Sequence, residues 1–173
     1  ETLWADLSDS CRRQIKKAEK ALNINEDVDS NSLKTLMQES YNGKKEAFPI
    51  KDESLFIRIA NYFDSYSCGK ILEAKDKNGT IHASIAVIWD KDSAYYLIGG
   101  AAEKHKNSGA MSLLLWEAIK ISKKKGIKYF NFEGSSVKGI EKFLRGFGGK
   151  LTAYSLINKN SSKSLKLAKE FLK

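Results

Sequence analysis

Tyr129-Phe130-Asn131-Phe132-Glu133-Gly134-Ser135-Ser136, continued by Gly139-Ile140-Glu141-Lys142-Phe143-Leu144-Arg145-Gly146-Phe147-Gly148-Gly149, reads as strand, tight turn, short helix and glycine stop. An aromatic strand that ends in a carboxylate at a Gly/Ser turn has the form of a ligand-binding strand end in an α/β protein. Glu133 is therefore the first candidate for chemistry. An acid at this place also serves as a helix cap or as the partner of a lysine, and the sequence leaves both readings open. In the helix, Ile140, Phe143, Leu144 and Phe147 fall on one apolar face, and Gly148-Gly149 supply the left-handed conformations that end it. Arg145, on the polar side, is spaced to reach back toward the preceding turn.

Upstream lies the signal for a sheet. Lys70 to Lys75 and Ile81 to Trp89 flank Asn78-Gly79, a pair that tolerates positive φ and so marks a tight hairpin. Asp90 to Ser93 turns the chain into a third strand, Ala94 to Ala101, in which Gly99-Gly100 leave room for a backbone or a ligand to come close. The next helix carries Met111, Leu114, Leu115, Ala118, Ile119 and Ser122 on one face. Ser108 is its expected cap, and Lys123-Lys124-Lys125-Gly126 complement the dipole and stop it. Before it, His105-Lys106-Asn107-Ser108-Gly109-Ala110 joins a strand to a helix N-terminus, where free amides favour an anion.

The opening reads as three helices around a short strand near Asn23 to Val28. Ser8 caps the first, with Cys11, Ile15, Ala18 and Leu22 on its apolar face and Arg12, Arg13, Lys16, Lys17 and Lys20 outside it. Leu33, Leu36, Met37 and Tyr41 mark the second, and Leu55, Ile59, Tyr62 and Phe63 the third. A strand at Lys150 to Ile157 and a basic tail helix from Ser161 to Lys173 complete the order.

With 173 residues, 42% of them hydrophobic, and a single proline, the chain has the composition of one globular domain rather than a disordered one. The formal charge of +9 points to anionic partners such as CoA phosphates, nucleic acid, anionic lipid or a cell-wall precursor, or simply to solvated helix faces. Two cysteines and two histidines with no ligand spacing argue against a metal. No apolar run approaches the ~20 residues that span a bilayer and no signal sequence opens the chain, so a soluble cytoplasmic protein is expected.

The run aromatic-Asn-Phe-Glu-Gly-Ser, Gly-Ile-x-x-Phe and Phe-Gly, together with Trp4, Leu7-Ser8 and Cys11-Arg12-Arg13-Gln14-Ile15-Lys16-Lys17-Ala18 near the start, resembles the second half of GNAT-fold acyltransferases of the Fem group, which add amino acids to peptidoglycan precursors. The resemblance implies an α+β GNAT-like fold, a central, mostly antiparallel sheet flanked by helices, over 1–173 as a single domain. It also implies a missing N-terminal partner half. The activity implied is direct transfer of an acyl group to an amine, on a small molecule or a cell-wall precursor. Acetyl-CoA or another acyl-CoA is the expected donor, with aminoacyl-tRNA as the alternative and a non-catalytic recognition half as a third reading; no metal is implied.

In GNAT enzymes the donor loop has Arg or Gln, two residues, Gly, one residue, then Gly or Ala. Lys106 and Gly109 match, Met111 departs, and the cofactor-binding set becomes Gly99, Gly100, Lys106, Ser108, Gly109 and Ala110. Where Fem enzymes carry Phe-Lys, this chain has Phe143-Leu144. Glu133 is then the expected base, Tyr154 the acid, a backbone N–H near Gly99 or Gly100 the oxyanion donor, and Arg145 and Tyr62 the substrate-binding residues.

Overall fold

The computed structural model describes residues 2–26, 28, 30–41, 52, 54–134 and 138–153. The helices are α1 (Thr2–Ala5), α2 (Asp9–Glu19), α3 (Ser30–Tyr41), α4 (Ser54–Tyr66), α5 (Ala110–Lys124) and α6 (Lys138–Arg145), and the strands β1 (Leu22–Asn25), β2 (Gly69–Asp76), β3 (Ile81–Trp89), β4 (Ser93–Ala101) and β5 (Tyr129–Asn131). The sheet runs in chain order, β1-β2-β3-β4-β5. Its first four strands pair antiparallel, and β5 lies parallel to β4 after the α5 crossover. This is the helix-flanked, mostly antiparallel sheet expected from the sequence.

Each face of the sheet buries a separate core. On one side Leu72, Ala74, Ala83, Ile85 and Val87 pack against Ile15 and Ala18 of α2, Leu114, Leu115 and Ala118 of α5, and Leu144 and Phe147 at the end of α6. On the other, Ile71 and Ala86 meet Leu33 and Met37 of α3 and Phe56 and Phe63 of α4. Alternate strand residues serve opposite faces, which is why successive residues are buried from Ile71 to Ala74 in β2 and from His82 to Val87 in β3. The buried face of α4 is Phe56 and Phe63 with Ile59 and Ala60 beside them; Tyr62 turns outward, 52% exposed, and stacks on Tyr66.

The local signals act as their chemistry requires. Ser8 caps α2 by accepting the Cys11 amide at 3.2 Å, and its own N–H donates to the Gly146 carbonyl, tying the start of α2 to the end of α6. At the hairpin, Gly79 adopts φ +83°, and the Asp76 carboxylate accepts the amides of Asn78 and Thr80. Those bonds, that from Thr80 foremost, hold its carboxyl below the usual range. Gly126, at φ +77°, ends α5 as anticipated. Of the expected strand from Lys150 to Ile157, residues 150–153 are described and are not strand; its remainder and the tail helix lie outside the described residues.

Candidate functional site

Two breaks in the sheet locate the site. The β3–β4 register steps from Ala86↔Ile98 to Val87↔Tyr96, so Leu97 is an extra residue, a β-bulge. On the other edge of β4, β5 pairs only at Ser93↔Tyr129, Ala94↔Phe130 and Tyr95↔Asn131. Beyond Tyr95 the edge of β4 is not taken up by β5. Because α5 is a parallel crossover, it starts at the carboxyl end of β4, the same end at which the strands part. Glu133 follows the last β5 pair, Tyr95↔Asn131, by two residues.

Glu133 sits two residues past the end of β5 rather than in it. Its backbone is left-handed at φ +59°, an uncommon state for a residue with a side chain, and Gly134 follows at φ +70°. The Glu133 amide donates to the side-chain oxygen of Asn131 at 2.8 Å, and the residue is solvent-exposed. A locally strained backbone under an exposed carboxylate is a common accompaniment of function.

The opposite wall is the loop before α5. After a 3-10 turn at Glu103–His105, Gly109 caps the helix in the left-handed conformation, φ +84°. The expected cap, Ser108, plays a lesser part: its hydroxyl accepts the Ala110 amide at 3.3 Å. Leu113 donates to the Gly109 carbonyl, and the amides of Met111 and Ser112 have no described partner, leaving two N–H groups and the positive dipole end for an anion. Met111, at the position where a small residue was expected, packs half-buried against the main core. Lys106 is exposed and paired with Glu103, so it is at hand but engaged.

The three glycines read as places of close approach have partners inside the protein. A methyl group at Gly109 would lie 2.5 Å from the Gln14 carbonyl oxygen of α2, and one at Gly100 would lie 2.5 Å from the Leu36 carbonyl carbon of α3. At Gly99 it would meet the Tyr96 hydroxyl at 2.7 Å. Helices α2 and α3 thus lie directly on the loop and the strand, and Lys17 of α2 donates to the Asn107 carbonyl at 2.9 Å. The amides near Gly99 and Gly100 remain candidate oxyanion donors, whereas the side-chain faces of these glycines are spent on packing.

Tyr96 is a residue that sequence reasoning missed. It is the first residue of β4 past the last β5 pair, and its hydroxyl lies over Gly99. Burial, and secondly the neighbouring Tyr41, push its phenol up to about 12, which favours the protonated hydroxyl. Alternation in β4 gave no sign of this, because the bulge at Leu97 sets which way Tyr96 faces. The Arg145 guanidinium binds Glu141 one helical turn back, with Nε 2.8 Å from Oε1. Leu144 is core, 6% exposed, which accounts for an apolar residue there. Tyr62, on α4, has its ring against Tyr66 rather than at the parting strands, and Tyr154 lies outside the described residues. Among the described residues no helix is long and apolar enough to cross a membrane.

A family model described as an acetyltransferase (GNAT) domain matches residues 6–143. No curated protein sequence matches the chain. Among solved structures, FemX superposes with TM-score 0.70 at 13% identity, over 85% of this chain and 55% of that one. A GNAT family acetyltransferase from Elizabethkingia anophelis with acetyl-CoA bound gives 0.54 at 21%, over 77% and 78%, and glucosamine-6-phosphate N-acetyltransferase from Arabidopsis thaliana gives 0.58 at 13%, over 80% and 97%. At these identities the likeness is one of fold, and the chain spans only about half the length of FemX.

Proposed function

Because the chain belongs to the acetyltransferase (GNAT) domain family, we propose that it transfers an acyl group from an acyl-CoA, acetyl-CoA first among them, directly to an amine acceptor in the cytoplasm. The observation that carries this reading is the parting of β4 from β5 at a bulge, with the N-terminus of α5 at the same end. The loop fits an anionic donor: the amides of Met111 and Ser112, the Ser108 hydroxyl and Lys106 would hold a pyrophosphate there, Lys106 exchanging Glu103 for it. Bound, such a donor supplies an activated acyl thioester.

The remaining work falls to the chain's own residues. An amine is protonated at neutral pH, and a Glu133 carboxylate oxygen, in the turn beyond β5, takes its proton directly or through water. A backbone amide of β4 near Gly99 or Gly100 donates to the oxygen on which negative charge develops. Tyr96, its hydroxyl against Gly99, is a candidate proton donor to the leaving group in addition to Tyr154. No nucleophile paired with a base is present among the described site residues, which favours direct transfer over an acyl-enzyme.

The fit to FemX favours a second reading, a Fem-like transfer from aminoacyl-tRNA to a cell-wall precursor with this domain as the second half of a two-domain protein. The internal partners of Gly99, Gly100 and Gly109 favour a third, a recognition half whose loop is built for packing. Calorimetry with CoA and acetyl-CoA separates these. At ~100 times its dissociation constant a bound donor adds about 2.7 kcal/mol of stability, a clear melting shift. Heat and a shift, followed by turnover in an acyl-donor and amine-acceptor screen, support the first reading. Silence at millimolar donor, with tRNA binding that weakens steeply with salt, selects the second.

A further inference from the structure

The chain has two histidines, and they stack on each other. The rings of His82, on β3, and His105, at the end of the 3-10 turn, lie 3.9 Å apart between centroids and 11° from parallel. His82 is 8% exposed, and neither of its ring nitrogens makes a hydrogen bond; the nearest charge, Asp76 Oδ2, is 3.5 Å from Nε2. Leaving the polar atoms of a buried ring without good partners has a cost, which an apolar side chain at this position would not incur. What the imidazole provides is a flat floor beneath His105. His105 is half-buried, with one face of its ring on that floor.

His105 also leads into the donor loop. Its carbonyl accepts the Ser108 amide at 2.9 Å, exposed Lys104 and Lys106 flank it, and Lys17 is fixed to the next residue, Asn107. A planar ring held from below, beside cations and helix-end amides, suits a ligand that carries an aromatic base and phosphates together. We propose that His105, braced by His82, is the platform on which the adenine base of the donor stacks, a reading that rests on acyl-CoA as donor. The loop then reads the donor twice, its pyrophosphate at the amides and its base on the imidazole, with the thiol arm left free to run along the edge of β4. Base stacking on a ring is sequence-tolerant but strong enough to set affinity.

The test uses three probes with the whole chain: CoA, adenosine bisphosphate, which is the nucleotide end alone, and phosphopantetheine, which is the thiol arm alone. His105→Leu keeps the volume and removes the π face, and should weaken CoA and adenosine bisphosphate about tenfold while leaving phosphopantetheine unchanged. His105→Phe should restore both. On the wild type, which needs no variant to fold, proton NMR should show the adenine ring protons of adenosine bisphosphate moved upfield by the imidazole ring current. Equal weakening of all three probes in His105→Leu would make His105 a mere support of the loop and overturn the proposal, as would full CoA affinity in that variant or unmoved adenine resonances. Failure of the wild type to bind any of the probes at millimolar concentration would instead sink the acyl-CoA reading beneath it.

Discussion

The two walls of the parted strands are built in opposite ways. The loop before α5 is held from several sides: the Gln14 carbonyl against Gly109, Lys17 on Asn107, Glu103 on Lys106, and His82 beneath His105. At the Glu133 turn the bond found among the described residues runs from its amide to Asn131, after a strand of three residues. A site that must hold an anion gains by being rigid before the anion arrives, since the dipoles that receive it then need no rearrangement. A site that must admit varied amines and move a proton gains from a looser wall. Damage to the loop should therefore appear as lost stability, and damage to the turn as lost chemistry.

Gly109→Val is the strongest way to break the contrast. A branched side chain at φ +84° is strained wherever it sits, and here its Cβ would press on the α2 backbone. The expected loss is on the order of 3 kcal/mol in urea unfolding, with donor binding lost alongside. Unchanged stability would mean that α2 does not lie on the loop. The variant is therefore no clean probe of ligand approach, because the side of Gly109 that looks free in the sequence faces a neighbouring helix.

Glu133→Gln should do the reverse. The carboxylate is exposed and the amide is its isostere, so the melting temperature should hold while turnover falls on the order of 10²-fold, about 2.7 kcal/mol of transition-state stabilisation. A wild-type rate with the true substrate pair would reassign Glu133 to the turn alone.

What could be read from the sequence, and what could not, divides along the same line. The hairpin at Asn78-Gly79, the long face of α5, the Ser8 cap and the Gly126 stop were legible because each is decided within one turn or one helix. The Gly/Ser signal placed a turn after β5, but neither the end of the strand at Asn131, two residues before Glu133, nor the left-handed backbone of Glu133 could be read from it. The bulge at Leu97 was hidden, since it exists only in the pairing of β4 with β3. Residues 99, 100 and 109 were legible as positions needing glycine, yet their partners, Tyr96, Leu36 and Gln14, come from the fold. The same holds for His82 and His105, separate in sequence and stacked in space, and for Leu144, whose departure from the Fem pattern follows from its place in the core.

Glu133→Gly sharpens the comparison by asking what the turn gives up for its acid. A residue with a Cβ is disfavoured at φ +59°, and glycine relieves that at some cost in unfolded-chain entropy, so a gain of about 0.5 kcal/mol is expected together with lost turnover. A gain in stability with loss of activity is the mark of strain kept for function. A loss of stability would show that the side chain braces the turn.

The smallest effect should come from Lys17→Met, which removes one strand of the bracing and leaves the rest. The ammonium donates to the Asn107 carbonyl from an exposed position, so water replaces it readily, and the expected cost is about 0.5–1 kcal/mol. Lys17 also places a positive charge beside the amides of the loop. Its removal should weaken an anionic donor by a factor of a few at low salt and by less as salt is raised, because an exposed charge is screened within about 10 Å at 0.1 M. A loss of affinity that persists unchanged in high salt would mean that Lys17 acts by shaping the loop rather than through its charge, and the braced wall would then be holding a geometry more exacting than a helix end requires.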